Sequence, residues 1–133
     1  MWIHTNYGFF SVVKNHSKHS SLEFVIRARV REHLEKTHIF NEIVELEPCD
    51  YQYRMYVTKS QLVDWLLSVV DNIVYDNFKD SIKDQQLKEF CSNVWVAGVF
   101  GLGKFNVNVM NNDVQGCCIA ISSEKTPKID NVY

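Results

Sequence analysis

The chain is short of the features that usually announce a function. With two prolines and five glycines among 133 residues, it holds no low-complexity block, and no internal repeat is visible. No run of about 18 apolar residues occurs, so no membrane-spanning helix is expected. The opening "MWIHTNYGFF" lacks a basic start, a long apolar run and a small-residue cleavage site, so no signal peptide is expected. Neither a Gly-x-Ser-x-Gly elbow nor a P-loop is present. The four cysteines, Cys49, Cys91, Cys117 and Cys118, form no Cys-x-x-Cys pair, and no metal-type spacing completes a zinc site. A bond between the adjacent Cys117 and Cys118 would be strained. Free thiols and a reducing cytosol are the expectation. Charge of one sign is also missing: the net charge is −2. That argues against a general nucleic-acid coat but leaves room for a local basic patch, whose field depends on nearby charges.

What is there reads as one domain. The chain is 46% apolar and 23% charged, near the globular average, and long enough to bury about two-thirds of its unfolded surface. Residues 3–14 and "LEFVIRARV", 22–30, read as an antiparallel pair of strands joined by the polar "NHSKHSS". "REHLEKTHIF" reads as a short helix, with Leu34 inward and Glu32 four residues before Lys36. "NEIVELEP" and "YQYRMYVTK" read as two more strands, separated by the Pro48–Asp50 turn. Tyr51, Tyr53, Met55 and Val57 are expected on one face of the last strand, and Gln52, Arg54 and Tyr56 on the other. A helix capped by Ser60 follows, with Leu62, Trp65, Leu66, Val69, Val70 and Ile73 as its apolar stripe. "FKDSIKDQQLKEFCSNVWVAGVF" reads as one long or two short helices. The expected class is α+β: about four antiparallel strands in the order ββαββαα, covered by helices on one face. Residues 1–97 would form this core. Residues 98–133 would be an extension, with "GVFGLG" as helix stop and linker, a possible hairpin, and a loose tail.

The segments "MWIHTNYGFFSVV", "IRARVREHLEK", "DYQYRMYV" and "YDNFKDSI" carry a resemblance. Together they are similar to a family of small uncharacterised bacterial and phage-type proteins. Those begin with Met-Trp and a Gly-Phe-x-Ser-Val-Val run, continue through an "RAR" strand and a Tyr-x-Asn-Phe-Lys turn, and end in a helix with a Val-Trp pair, here Val94 and Trp95. The resemblance spans about residues 1–97 and implies no particular activity.

Three constellations are candidates for function. The first is a basic, aromatic sheet face. Alternation puts Arg27, Arg29 and Arg31 opposite Phe24 and Ile26, and Arg54 with Tyr56 joins them if the two strands share a sheet. Arg31 belongs instead to the start of the following helix. Guanidinium groups fork onto phosphate or carboxylate oxygens, and aromatic rings stack on bases. Tyr75, Asn77 and Lys79 would reach the edge of such a site. The ligand class expected is an anionic small molecule, a nucleotide or an RNA end. The competing expectation is a solvated face whose arginines pair with Glu23, Glu42, Glu45 and Glu47. The second constellation is the histidines, His4, His16, His19, His33 and His38: His16 and His19 are three apart with no third metal ligand placed by spacing, and His33 and His38 are expected to pack at the surface near the first helix. The third is an apolar surplus: Val63 and Leu67 lie off the main stripe, and the Trp95 helix is apolar nearly all round. Burial against a homodimer, against a protein partner such as a host component blocked by a phage inhibitor, or under the C-terminal hairpin of the same chain would account for it. No cofactor is expected, and catalysis by a small nuclease or phosphoesterase ranks behind binding.

Overall fold

A computed structural model describes residues 1–17 and 20–102. The order is β1 (Trp2–Thr5), β2 (Gly8–Lys14), β3 (Phe24–Ala28), α1 (Arg31–Glu35), β4 (Ile43–Glu45), β5 (Tyr53–Val57), α2 (Lys59–Asp71), α3 (Phe78–Ser81) and α4 (Gln85–Leu102). The five strands form one sheet in the order β1-β2-β3-β5-β4, antiparallel throughout. The fold is therefore α+β. Among the described residues no helix is long and apolar enough to cross a membrane.

The expected first strand, 3–14, is two strands. The chain reverses at Asn6-Tyr7, with Thr5 opposite Gly8. Thr5 Oγ1 donates to the Gly8 carbonyl at 3.2 Å and accepts from the Tyr7 amide at 3.3 Å, so the threonine side chain closes the turn locally. Gly8 is needed because Phe10 folds back over it: a Cβ there would lie 2.6 Å from Phe10 Cζ. The fifth strand thus comes from a turn hidden inside an aromatic, β-branched run.

Period-two alternation sorts the side chains. Phe10, Val12, Ile26, Ala28, Met55 and Val57 enter one core, closed by Leu34 of α1 and by Leu62 and Trp65 of α2. Trp65 ties α2 to the hairpin: its ring meets Phe10 edge-on at 5.0 Å, and its Nε1–H donates to Tyr7 Oη at 2.9 Å. Helix α2 starts earlier than the sequence suggests. Thr58, not Ser60, is its N-cap, and Gln61 completes a capping box, which satisfies two otherwise orphaned backbone donors.

Helix cover extends to the second face as well. Phe9 points there, and with Tyr51 it packs on Ile82, Leu87 and Cys91. Tyr51 departs from the expected side because it precedes β5 and escapes the strand's alternation. The two-helix alternative holds for the C-terminal part, with α3 and α4 separate. Helix α4 continues through Gly98 and Gly101 to Leu102, past the expected stop and across the expected boundary at 98. Glycine in a helix costs only about 1 kcal/mol, too little to end a helix by itself. The expected C-terminal hairpin, Cys117 and Cys118 lie outside the described residues.

Candidate functional site: an unpaired arginine row

The strand register settles which arginines meet. Trp2 lies opposite Ser11, Ser11 opposite Arg27, Arg27 opposite Arg54, and Arg54 opposite Val44. This is one row across the whole sheet, on the face away from the Phe10 core. Tyr56 lies on the same face, opposite Val25. Arg27, Arg54 and Tyr56 are thus brought together as expected.

The chain has four arginines, and they divide two and two. Arg29 sits just past β3, where its Nε and Nη2 donate to Asp50 Oδ1 at 3.0 and 2.7 Å. Arg31 Nε donates to Glu35 Oε1 at 3.0 Å, one helical turn on. Arg27 and Arg54 have no such partner. Among the described residues neither forms an ion pair, and the Nε of each is buried without a hydrogen bond. Arg27 Nη2 donates to Ser11 Oγ at 2.8 Å. The expected pairing with glutamates does not form: Glu45 and Glu47 accept from Gln52 Nε2 at 3.0 and 2.6 Å, and Glu23 accepts from the Lys59 amide at 3.0 Å.

Tyr51 is the residue that alternation alone misplaces. Its ring lies beneath two guanidinium groups, 4.9 Å from Arg27 Cζ and 4.6 Å from Arg29 Cζ, an arrangement the ring quadrupole favours. Its hydroxyl is buried without a partner among the described residues. Its position three residues before Arg54, beside Asp50, was the available signal. Three buried polar atoms, Arg27 Nε, Arg54 Nε and Tyr51 Oη, therefore lack partners among the described residues around one patch. Buried polar groups are paired in the great majority of cases, and like charges directly opposite on neighbouring strands are destabilising. Together these features fit a surface that receives an acceptor-rich anion.

The other candidates go elsewhere. Asn77 caps α3 by accepting from the Lys79 amide at 3.0 Å. Lys79 Nζ sits 4.5 Å over the Trp95 ring of α4, and Tyr75 packs near Phe78. These contacts join the α3 and α4 region; none involves Arg27, Arg54 or Tyr56. Arg29 also borders a cavity of about 210 Å³ lined with Phe9, Val30, His33, Leu87 and Phe90. Among the described residues no three His, Cys, Asp or Glu side chains gather as metal ligands, and His19 lies outside them.

One cysteine–histidine contact lies on the same face: Cys91 Sγ is 3.7 Å from His4 Nδ1. Burial pushes the thiol pKa up and the imidazole pKa down. Both shifts favour the neutral forms, the opposite of an activated thiolate pair. Burial also lowers the pKa of His33, whose Nδ1 accepts from the Phe9 amide at 3.4 Å. A histidine held neutral when folded binds its proton more readily when unfolded, so stability is complete above the unfolded pKa near 6.5. It is lost as pH falls from there through the lowered folded values. Urea midpoints taken from about pH 7.5 down to about pH 5 should fall, and the slope should flatten in His4→Gln. An unchanged slope in that variant would remove His4 from the account.

No protein-family model matches the chain, and neither a curated protein nor a solved structure matches it. The functional argument therefore rests on the site itself.

Proposed function

We propose that the chain is a non-enzymatic binding protein that takes an anionic, nucleotide-like ligand on the Arg27–Arg54 row. The observation that carries this is the pair of arginines directly opposed in the strand register, neither with a carboxylate partner among the described residues. A phosphate would accept from both arginines and relieve their mutual repulsion. Tyr51 orients the Arg27 guanidinium from below. An aromatic body attached to that phosphate has two stacking partners on the same face: Tyr56 beside Arg54, and Trp2 at the far end of the row, 69% exposed.

Calorimetric titration with inorganic pyrophosphate, a nucleoside diphosphate and a short single-stranded RNA tests this. Charge-assisted hydrogen bonds contribute about 1.5–3 kcal/mol each, so Arg27→Ala and Arg54→Ala should each weaken binding about tenfold or more. Arg31→Ala, whose charge is already paired, should leave it unchanged. Absence of heat with all three probes, or equal losses in all three variants, would sink the proposal.

A further inference from the structure

The Tyr56 end of the arginine row borders a pocket of about 350 Å³, lined by Leu22, Asn41, Glu42, Val44 and Tyr56. Val44 stands opposite Arg54. The strands are antiparallel, so the step from Arg54 to Tyr56 and the step from Val44 back to Glu42 run the same way, about 7 Å for two residues. Tyr56 and Glu42 therefore share the pocket one step along the sheet from Arg54. A ribose sets a base apart from its phosphate by a comparable span.

The polar chemistry of the pocket centres on Glu42. The Asn41 amide is committed: its Nδ2 donates to the Tyr56 carbonyl at 2.7 Å and to Gln61 Oε1 at 3.1 Å, and its Oδ1 accepts from Gln61 Nε2 at 2.9 Å. These bonds hold the chain before β4 against β5 and fix where Glu42 begins. Leu22 and Val44 are apolar walls. Glu42 is exposed and forms no ion pair among the described residues.

An ionised carboxylate accepts hydrogen bonds and donates none. It therefore sorts bases by their edges. Guanine offers two adjacent donors, N1–H and the 2-amino group, which match the two carboxylate oxygens. Adenine and cytosine set an acceptor nitrogen beside their amino group, and uracil sets its one N–H between two carbonyls. Each of these turns a lone pair towards the carboxylate. Stacking on Tyr56 tolerates any base, so the choice falls to Glu42.

We infer that the ligand of this site is a guanine nucleotide, with its phosphate on Arg27 and Arg54, its base stacked on Tyr56, and its N1–H and 2-amino donors on the Glu42 carboxylate. This rests on the anion-binding reading of the row and narrows it to one base.

Calorimetric titration of the full chain with pyrophosphate and with guanosine, inosine and adenosine diphosphates tests it. Guanosine diphosphate should bind about tenfold or more tighter than adenosine diphosphate, with the inosine compound, which lacks the 2-amino group, between them. Glu42→Gln should remove most of that preference, because an amide matches only one of the two donors, and should leave pyrophosphate binding in place. Tyr56→Leu should weaken both purine diphosphates about tenfold, while Trp2→Ala leaves the preference unchanged. Retained pyrophosphate binding reports an intact fold in each variant. Guanine beside a phosphate also occurs at a nucleic-acid end. Two 5′-phosphorylated RNAs, beginning with guanosine or adenosine, assign the site to the free nucleotide or to such an end, according to which pair shows the larger guanine preference. Equal affinity for the guanosine and adenosine compounds, with pyrophosphate still bound, overturns the guanine assignment and leaves the anion site standing. A guanine preference indifferent to Glu42→Gln also overturns it. No binding of pyrophosphate or of any nucleotide overturns both.

Discussion

Phe10→Ala is expected to destabilise the protein by about 3–5 kcal/mol, the largest loss of any single truncation. Phe10 is fully buried. It stands between the β1–β2 hairpin, α1 and α2, with its ring 6.0 Å from Tyr7, 6.1 Å from His33 and 5.0 Å from Trp65. Gly8 has given up its side chain to admit this ring, so no neighbouring group stands ready to refill the space. Domains of this size are stable by only about 5–15 kcal/mol, so the loss should shift the urea midpoint far down or abolish a cooperative transition. Phe40→Ala is the control: Phe40 is 98% exposed and its removal should change stability by less than about 0.5 kcal/mol. Comparable effects at the two positions would mean that the core is not organised around Phe10.

Arg54→Leu should act in the opposite direction on stability while weakening the proposed anion binding. Arg54 faces Arg27 across the β3–β5 ladder, has no ion pair among the described residues, and buries an unpartnered Nε. An apolar side chain there ends the like-charge opposition and the unmet donor. A gain of about 1 kcal/mol is expected, within the range that cross-strand pairs command. Affinity for pyrophosphate should fall by about tenfold or more in the same variant. Gain of stability with loss of binding is the usual relation at a site strained for function. A variant that is less stable than the parent would show that Arg54 supports the fold instead.

Much of this was legible in the chain because period-two alternation is robust inside a strand. "FVIRA" and "YRMYV" put Arg27, Arg54 and Tyr56 on one face and Phe24, Ile26, Met55 and Val57 on the other, and the sheet keeps both sets. Alternation says nothing once the strand ends, which is why Tyr51 lies on the side opposite to the one it predicts; Arg29, just past β3, stays on the Arg27 face over the same Tyr51 ring but turns to Asp50. The Asn6-Tyr7 reversal was missed for a related reason. Its flanks are aromatic and β-branched on both sides, and tyrosine at the second turn position lacks the glycine that marks common two-residue hairpins. Helix α2 shows a different limit: an apolar residue on a helix declares a preference for burial, not the surface that will bury it. Val70 and Ile73 fit the inward stripe by spacing, yet the short sheet reaches only Leu62, Trp65, Leu66 and Val69. Partner choice was also out of reach. Arg29 meets Asp50 across 21 residues and Arg27 meets Ser11 across 16, while the nearer glutamates bind Gln52. Only the folded structure reveals that two of the four arginines have no ion pair among the described residues.

That division supplies its own internal control. The four arginine Nε–H groups each give a nitrogen–proton correlation in an NMR spectrum, and the structure separates them into two engaged by carboxylates, Arg29 and Arg31, and two without partners among the described residues, Arg27 and Arg54. Inorganic pyrophosphate titrated into the isotopically labelled protein should move the Arg27 and Arg54 signals together, along curves that report one dissociation constant, while those of Arg29 and Arg31 stay in place. Movement of all four in proportion, or of none, would contradict an anion site built on the Arg27–Arg54 row.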